Sequence, residues 1–587
     1  MGAHRFAAPF PINATGRNAV CHRYRSPRCE GERKMSRRVS TLGVLAALAV
    51  ILTLPCIVQA QSVYLPIRHP VYDYFDRLET KFGTELITFS RPMTRMDVAQ
   101  ELVRIYRSEA LAHYDRSQIR FYFREFAEEI QRLGELDSTI APHAEPRWNL
   151  IQVDSERPAD SYLAIDLIGR GRYELREDAD NVIQRSNGVR MYGYVGNHLG
   201  AEMKWIDNGL QGINYDPRAV RVPDPAVVKG PGSGSDFEYE IAEGQFNYST
   251  PWLEAGIQKM DLWWGSGRNG SLILSDHAPS FPRIDLKIDI TDWLQFEYFH
   301  AWLFSDEIDS TLTYQTTTGL GAVKYFETKY MAAHALSAKV LPNLELTLGE
   351  SIIYGGSDVN VLFLIPVISF RAADRWTKAT TGNSQFFANV HYAPIPNLTL
   401  YGSGFIDEMD LSKILGSDPI NKDYHVGYTL GLHTTDLYYD VVPLPSETRL
   451  EFSRVYIYTY TNYNPQQQYS SHKATLGHWI GPNADIVSLT HRMHPHRAWS
   501  VELHGELARF GDAESQLSPP PRMQPPFLYR HEYSQLRARG ALRWTPIHEL
   551  YAIGYAEYIA RDEQPDFNTA PTPEGLHIGL QLSYGIH

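Results

Sequence analysis

The sequence predicts a mainly β fold, an antiparallel transmembrane β-barrel of about eighteen strands preceded by a small domain of three helices. Three observations carry this prediction: a leader pattern near the start, strict two-residue alternation at the end, and short turns that recur at a constant spacing between them. The mean hydropathy of -0.33 and the 43% of apolar residues would suit a soluble protein. Hydropathy alone therefore does not indicate a membrane.

The leader occupies residues 1–60. An apolar run at 42–54 follows a pair of arginines and precedes Val58-Gln59-Ala60, a small-residue cleavage pattern. The run is too short to span a bilayer comfortably, which favours a cleaved signal peptide over a membrane anchor. We predict that translation starts at Met35, so that the residues before it are an upstream extension.

Cysteine and charge content narrow the chemistry of the mature chain. All three cysteines, Cys21, Cys29 and Cys56, lie in the leader, so no thiol or disulfide chemistry is expected after cleavage. The leader also holds nine Lys and Arg and two Glu, which leaves 46 basic and 66 acidic residues and a net charge of about -20. Nucleic acid is therefore a poor partner.

Residues 61–147 are predicted to form a periplasmic helical domain. Apolar residues at helical spacing predict one helix over 70–82 and a second that begins at Thr94, where a capping box starts. A third helix is predicted to end at Gly134. Three helices of this length make a minimal bundle that needs a further surface to pack on.

Residues 148–587 are predicted to form the outer-membrane barrel. Every second residue of Leu576–Ile586 is apolar, and strands of this kind recur at 294–304 and 448–460. Short turns lie 52, 51, 50 and 51 residues apart at Pro342, Pro394, Pro445, Pro495 and Pro546. Further turns are predicted at Asn197, Pro251 and Thr291.

Eight short turns join sixteen strands, and one strand at each end, near Ser161–Gly169 and Gly575–His587, brings the predicted count to eighteen. An even number lets the sheet close. Long polar segments alternate with the turns, which is typical of extracellular loops. They are Asn214–Asp236, Asp358–Gly382, Asp512–Arg530 and Asp562–Gly575.

Three arginines alternate with apolar residues in one predicted strand: Arg537, Arg539 and Arg543. This alternation points them into the lumen. There they either bind carboxylates or sulfates of an acidic sugar polymer through bidentate hydrogen bonds, or pair with the lumen's Asp and Glu residues. Both interpretations are open.

The glycine-rich segment around Trp264, Arg268 and Asn269 is a second candidate for polysaccharide binding, because aromatic faces stack on sugars while amides and guanidinium groups bond to hydroxyls. The alternative is a tight extracellular turn that needs glycine. It is not a phosphate loop, since no Gly-Lys-Ser/Thr follows.

No catalytic residue, cofactor or metal site is predicted. Ser275, Asp276 and His277 suggest a triad, but neighbours on an extended chain point to opposite faces. No His-x-x-x-His pair lies on a predicted helix, and the sequence has no Cys-x-x-Cys motif.

Three segments, Trp264–Pro279, Val71–Leu78 and Arg91–Arg95, resemble the capsule-assembly Wzi family. The order of a helical domain and a barrel is similar to that of the family over nearly the whole mature chain, whereas the motifs match only in these segments. The resemblance implies an N-terminal helical bundle, an eighteen-stranded barrel and a lectin-like role in holding capsular or related exopolysaccharide. Thr94-Arg95 and the helix after it also resemble one surface-layer homology module, which implies that the helices plug the barrel or touch peptidoglycan.

The leading hypothesis is a monomeric, non-enzymatic outer-membrane protein that contacts membrane lipid, binds polysaccharide through extracellular loops and has helices at its periplasmic mouth. The alternative is a transport channel for anionic or sugar solutes, gated by the helices. A lipid-modifying enzyme is a third, minor hypothesis.

Overall fold

The computed structural model describes most of the chain from residue 63 onward. The described ranges are 63–108, 110–145, 149–154, 161–177, 179–212, 227–229, 237–317, 321–377, 382–407, 425–512, 526–563 and 572–587. The predicted leader, with Met35 and the three cysteines, lies outside them. So do the predicted domain boundary at 147/148 and most of the predicted loops 214–236, 512–530 and 562–575.

Eighteen antiparallel strands close into one barrel in the described part of the chain, which confirms the predicted fold. We number them β1 to β18. The first nine are β1 Ser161–Arg176, β2 Val182–Val195, β3 Leu199–Gln211, β4 Phe237–Thr250, β5 Leu253–Lys259, β6 Pro282–Thr291, β7 Leu294–Gln315, β8 Ala322–Leu341 and β9 Leu344–Gly355. The second nine are β10 Gly382–Ile395, β11 Leu398–Asp407, β12 Val426–Thr435, β13 Ser446–Val455, β14 Ala484–His496, β15 Trp499–Gly511, β16 His531–Ile547, β17 Leu550–Arg561 and β18 Gly575–Tyr584.

The barrel closes where the last strand pairs with the first, with Tyr584 opposite Gly169. All eight predicted turns lie at strand connections on one end of the barrel, the short-turn end. Seven of these connections have two or three residues, and the eighth spans 436–445. The opposite, long-loop end carries the connections 260–281, 356–381 and 456–483.

The outward face of the barrel is apolar and the inward face is polar. In β16, for example, Leu536, Leu542 and Trp544 are exposed on the outside while the intervening arginines are partly buried. The same alternation runs around the wall and supplies the apolar belt that a lipid environment requires.

Four helices precede the barrel: α1 Val71–Phe82, α2 Arg95–Ser108, α3 His113–Glu125 and α4 Ala127–Arg132. The third predicted helix is thus broken at Phe126 into two. Thr94 Oγ1 accepts a 3.0 Å hydrogen bond from the amide of Asp97, so the predicted capping of α2 is present. A fifth helix, α5 Phe370–Thr377, lies in the connection between β9 and β10. Within the residues described, no helix has the length and apolar character needed to cross a membrane.

The N-terminal helices have an apolar core of their own and also touch the short-turn end of the barrel. The amide of Asn397, in one short turn, donates to the carbonyl of Thr80 at 2.9 Å. In another short turn, His548 Nε2 lies 2.5 Å from the carbonyl oxygen of Phe121. The described residues from 63 onward accordingly belong to one compact unit. The helices cover the short-turn end, and their separation as a periplasmic domain stays a prediction.

Candidate functional site

Two connections from the long-loop end fold back into the lumen. We call residues 260–281 the first inner loop and residues 456–483 the second inner loop. Leu272–Leu274 of the first and Tyr469 of the second are fully buried in one apolar cluster with the inward-facing wall residues. A continuous apolar run inside a loop is stable here because the lumen shields it from water.

The second inner loop was not expected from the sequence, because the alternation predicts a strand over 448–460. The strand β13 instead ends at Val455. The Tyr460 hydroxyl then turns inward and donates to the carbonyl of Leu272 at 2.7 Å. This hydrogen bond joins the two inner loops.

Trp264, predicted to bind sugar, lies in the interior. It forms a short antiparallel pair with Ser90 of the helical segment. Its ring packs against Phe89, Phe299 and Phe387, with centroids 5.5, 5.1 and 5.9 Å away, and only 3% of the residue is exposed. In this arrangement the ring has no free face, so stacking of a sugar on Trp264 would require the loop to open.

Arg268, at the tip of the first inner loop, bonds to Asp76 of α1 with Nε 3.0 Å from Oδ2. Arg449 reaches the same oxygen at 3.1 Å, and Arg91 pairs with the other oxygen. Burial by itself raises the pKa of Asp76, but the guanidinium groups of Arg268, Arg91 and Arg449 outweigh it and hold the pKa well below its ordinary value. Asp76 is therefore a charged junction between helix, loop and wall.

Asn269 is also held by its backbone. The amides of Arg268 and Asn269 donate to the two carboxylate oxygens of Glu451 at 2.8 and 2.9 Å. Tyr401 donates to the same carboxylate at 2.8 Å. The Asn269 side chain lies 3.5 Å from Glu506. This loop tip is fixed to the wall rather than exposed outside the cell.

Arg537 faces the lumen, as the alternation predicts. Its guanidinium pairs with Glu506 at 3.1 Å and lies 3.5 Å from Glu557. For this arginine, pairing with lumen carboxylates is therefore the arrangement observed.

Arg539 and Arg543 also face the lumen. Their guanidinium groups lie over aromatic rings on the neighbouring strand, Arg539 at 4.8 Å from Tyr555 and Arg543 at 4.6 Å from Tyr551. Such contacts leave hydrogen-bond donors at the guanidinium edge.

A cavity of about 470 Å³ lies between α1, the first inner loop and the wall from β13 to β17. Its charged lining comprises Arg68, Arg91, Arg268, Arg449, Arg492, Arg537 and Arg539 with Asp73, Asp276, Glu451, Glu502, Glu506 and Glu557. Two predicted clusters thus meet at one cavity, since Arg268 and Asn269 of the loop face Arg537 and Arg539 of the wall. Arg543 lines a neighbouring cavity of about 290 Å³, and Trp264 borders neither of these two.

The side chains of Ser275, Asp276 and His277 are engaged separately. The Ser275 hydroxyl donates to the carbonyl of Gly477 at 2.5 Å, and Asp276 pairs with Arg68. The backbone amide of His277, rather than its ring, bonds to the Ser275 hydroxyl at 3.2 Å. This geometry is that of a packed loop and not of a nucleophile with its base.

One group of potential metal ligands occurs among the described residues: His69, Glu549 and His587 have ligand atoms within 4.8 Å of one another. The amide of Val71 donates to Nδ1 of His69 at 3.2 Å, so a neutral His69 ring carries its proton on Nε2. Neither ring nitrogen then offers a lone pair, and Arg190 lies 3.3 Å from Glu549. We assign no ion to this group.

The sequence prediction missed the hairpin of β7 and β8, whose strands have 22 and 20 residues against 10 in β6 and 12 in β9. Near its tip, Tyr314 and Tyr325 are 54% and 45% exposed, with ring centroids 6.4 Å apart. The signal in the sequence was the absence of a predicted long polar segment between Thr291 and Pro342. These turns are 51 residues apart, as other neighbouring turns are, but the connection 316–321 between their strands is short.

A closed eighteen-stranded barrel with an apolar belt outside and a filled, charged lumen defines an outer-membrane β-barrel protein. The chain belongs to the capsule assembly protein Wzi family, whose model matches residues 213–523. Its general role is therefore in capsule assembly at the outer membrane.

Among solved structures, the chain is similar to Wzi of Escherichia coli, with a TM-score of 0.55 and 11% identity over 90% of this chain and 100% of that one. That protein is described as an outer-membrane protein involved in group 1 capsule assembly and as a carbohydrate-binding β-barrel. OpdK of Pseudomonas aeruginosa matches with a TM-score of 0.40 and 9% identity over 72% of this chain and 98% of that one. No curated protein matches the chain by sequence.

Proposed function

We propose that the protein binds capsular or related extracellular polysaccharide at the outer surface of the cell and holds it there without chemical change. The observation that carries the proposal is the filled lumen. Helices cover the short-turn end, two inner loops enter from the long-loop end, and the two sets of residues meet inside the barrel at Asp76 and Arg268. A barrel filled from both ends suits a binding platform better than a transport channel.

Family membership supports the class of ligand. The E. coli protein of similar fold is described as carbohydrate binding, and members of the family act in capsule assembly. Capsular polysaccharide is long and lies outside the cell. A binding surface for it must therefore be reachable from the long-loop end, which in outer-membrane barrels faces outward.

The tip of the β7–β8 hairpin meets this requirement. Tyr314 and Tyr325 are exposed beyond the neighbouring strands, and their faces suit the C–H surfaces of pyranose rings. Lys324 and Asp309 on the same hairpin offer a donor and an acceptor for sugar hydroxyls. We place the polysaccharide contact here.

The lumen cavity is the competing location, because it contains Arg268, Asn269, Arg537 and Arg539 from the predicted set. Its arginines suit the carboxylates of acidic sugars. However, Arg268 and Arg537 already pair with Asp76 and Glu506. Arg539, which lies over an aromatic ring, is the residue of this set best placed to bind a ligand.

The test measures polysaccharide retained per cell in a strain that lacks its own copy of the protein and expresses variants. We expect Tyr314→Ala combined with Tyr325→Ala to reduce retention several-fold. The matched control is Tyr439→Ala, an exposed tyrosine at the short-turn end, which should leave retention unchanged. Arg539→Ala should also leave it unchanged.

Barrel abundance is measured in every strain so that loss of protein is not mistaken for loss of binding. If Arg539→Ala reduced polysaccharide retention and the tyrosine pair did not, the binding site would lie in the lumen cavity instead. Retention that is equal in the strain without the protein and in all variants would overturn polysaccharide binding altogether.

A further inference from the structure

The described part of the connection between β9 and β10, residues 356–377, lies outside the lumen. Its residues 358–377, which we call the outer-wall segment, turn back along the outside of the barrel. Phe363 and Phe370 of this segment pack on Tyr298 and Ile352. These two wall residues alternate with inward-facing neighbours that belong to the lumen core, such as Phe299 next to Tyr298. The outer-wall segment therefore covers the outward face of β7, β8 and β9.

Polar wall residues explain why the segment is docked there. His334 and Glu350 pair directly across β8 and β9 on this outward face. A ring nitrogen of His334 lies 2.9 Å from the carbonyl oxygen of Pro366, and the amide of Arg371 donates to Glu350 at 2.5 Å. Without the segment, His334 and Glu350 would lose these two backbone partners and face the surroundings of the wall with only each other, which is costly in an apolar medium.

The covered patch lies at the height of the apolar belt. Ile352 is eight residues beyond the first residue of its strand, and so are Leu507 in β15 and Tyr558 in β17. All three strands start from the short-turn end. Leu507 and Tyr558 are exposed members of the belt. The outer-wall segment therefore lies at the same distance from the short-turn end as residues that face the membrane, and not farther out towards the long loops.

The other side of the segment is apolar and uncovered. Val367 and Trp376 are 79% and 77% exposed. Val361 is 70% exposed, and Leu364 and Ile365 are exposed to 40% and 42%. Helix α5 has buried apolar residues on one side and carries Arg375 and Trp376 in its last turn. Arginine and tryptophan favour the boundary between acyl chains and headgroups.

We propose that the outer-wall segment lies in the outer leaflet of the outer membrane, where its exposed apolar side chains contact lipid acyl chains. We infer contact with lipid because the exposed apolar side chains of the segment are continuous with the apolar belt of the barrel. Leu346 and Leu348 of β9 are exposed on the same face, nearer the short-turn end. The segment thus widens the lipid-facing surface on one side of the barrel.

The test uses spin labels on single cysteines, since every cysteine of the sequence precedes residue 63 and a mature chain that begins at 61 has none. The intact mature protein carries Val367→Cys in proteoliposomes of phosphatidylethanolamine and phosphatidylglycerol. Collision rates with oxygen, which concentrates in acyl chains, are compared with those of a water-soluble nickel complex. Leu348→Cys is the lipid control and Val441→Cys, in the 436–445 connection, is the aqueous control.

We expect the oxygen-to-nickel ratio at 367 to match that at 348 and to exceed that at 441 several-fold. A ratio at 367 equal to that at 441 would place the segment in water and overturn the proposal. Low collision rates with both reagents would also overturn it, because they would show that a protein surface covers the segment.

Discussion

The guanidinium of Arg268 donates a 3.0 Å hydrogen bond to the carboxylate of Asp76, which lies 192 residues earlier in the chain. Arg268 belongs to a loop that enters from the long-loop end, and Asp76 belongs to a helix that covers the short-turn end. This contact makes the two fillings of the lumen one connected body. The short strand pair between Ser90 and Trp264 joins the same two parts, so the helices and the first inner loop are linked at more than one place.

Replacing Asp76 by Asn should loosen α1. The change leaves Arg91, Arg268 and Arg449 without their shared carboxylate in a buried place, and breaking a buried ion pair from one side costs about 3–5 kcal/mol. Hydrogen exchange of residues 71–82 measures the loss as a lower opening free energy. Because the pKa of Asp76 is lowered, its stabilisation is fully present above pH 3.8 and is lost only as the pH falls through the lowered value.

Asp73 on the same helix is the matched control. Its side chain is 47% exposed and pairs with Arg492 at 3.2 Å. Asp73→Asn should change the opening free energy by less than about 1 kcal/mol. Equal effects of the two substitutions would show that the junction at Asp76 has no special role.

Trp264→Ala should undock the first inner loop, because the cavity left among Phe89, Phe299 and Phe387 costs about 3–5 kcal/mol. Exchange of the amides of 264–274 reports the undocking. Trp252→Ala, at an exposed tryptophan in a short turn, should have almost no effect. If Trp264→Ala reduced polysaccharide retention while its loop stayed protected from exchange, the predicted sugar contact at Trp264 would be supported instead.

The second inner loop should loosen in acid through His478. Burial, with a smaller contribution from nearby His277, lowers the pKa of His478 from 6.5 to about 3. A lowered histidine pKa means that its stabilisation is complete above pH 6.5 and is lost as the pH falls from 6.5 towards 3. At pH 4.5 the open population should rise by about a hundredfold, seen as faster exchange of 469–481 after correction for intrinsic rates.

His478→Asn removes the titrating group and serves as the control for that measurement. Its exchange should show no such rise over the same pH range. An unchanged pH response in this variant would assign the acid sensitivity to other groups.

The intact mature protein should show no steady channels in planar bilayers. Deleting residues 63–145 alone leaves both inner loops in the lumen, so we expect only small or short-lived currents. Combining this deletion with replacement of 261–281 and 457–482 by short glycine-serine linkers should give steady channels, since an empty barrel of this size is wide enough for water and ions. Steady channels from the intact protein would favour the transport hypothesis over the platform.

Strand positions were predictable because they depend on local patterns. The turns around Pro342 and Pro394 and the alternation in β18 need no knowledge of the rest of the chain. The inward orientation of Arg537 followed from the same two-residue period. The pairing of the last strand with the first also followed, from the even number of strands.

The inner loops were not predictable in the same way. Leu272–Leu274 is a stable apolar loop only because a closed wall surrounds it, and that wall is built from residues far away in the sequence. The composition around Trp264 suits a sugar site and a packed loop equally well. Only the neighbouring rings of Phe299 and Phe387 distinguish the two.

The pairing of β18 with β1 has a consequence for assembly in the cell. The barrel can close only after β18 has been exported, whereas the helices that cover its short-turn end are exported before every strand of the wall. Those helices have an apolar core of their own, whereas Leu272–Leu274 are exposed to water until the wall is complete. We therefore expect the first inner loop to be the part of the nascent protein that most needs a periplasmic chaperone.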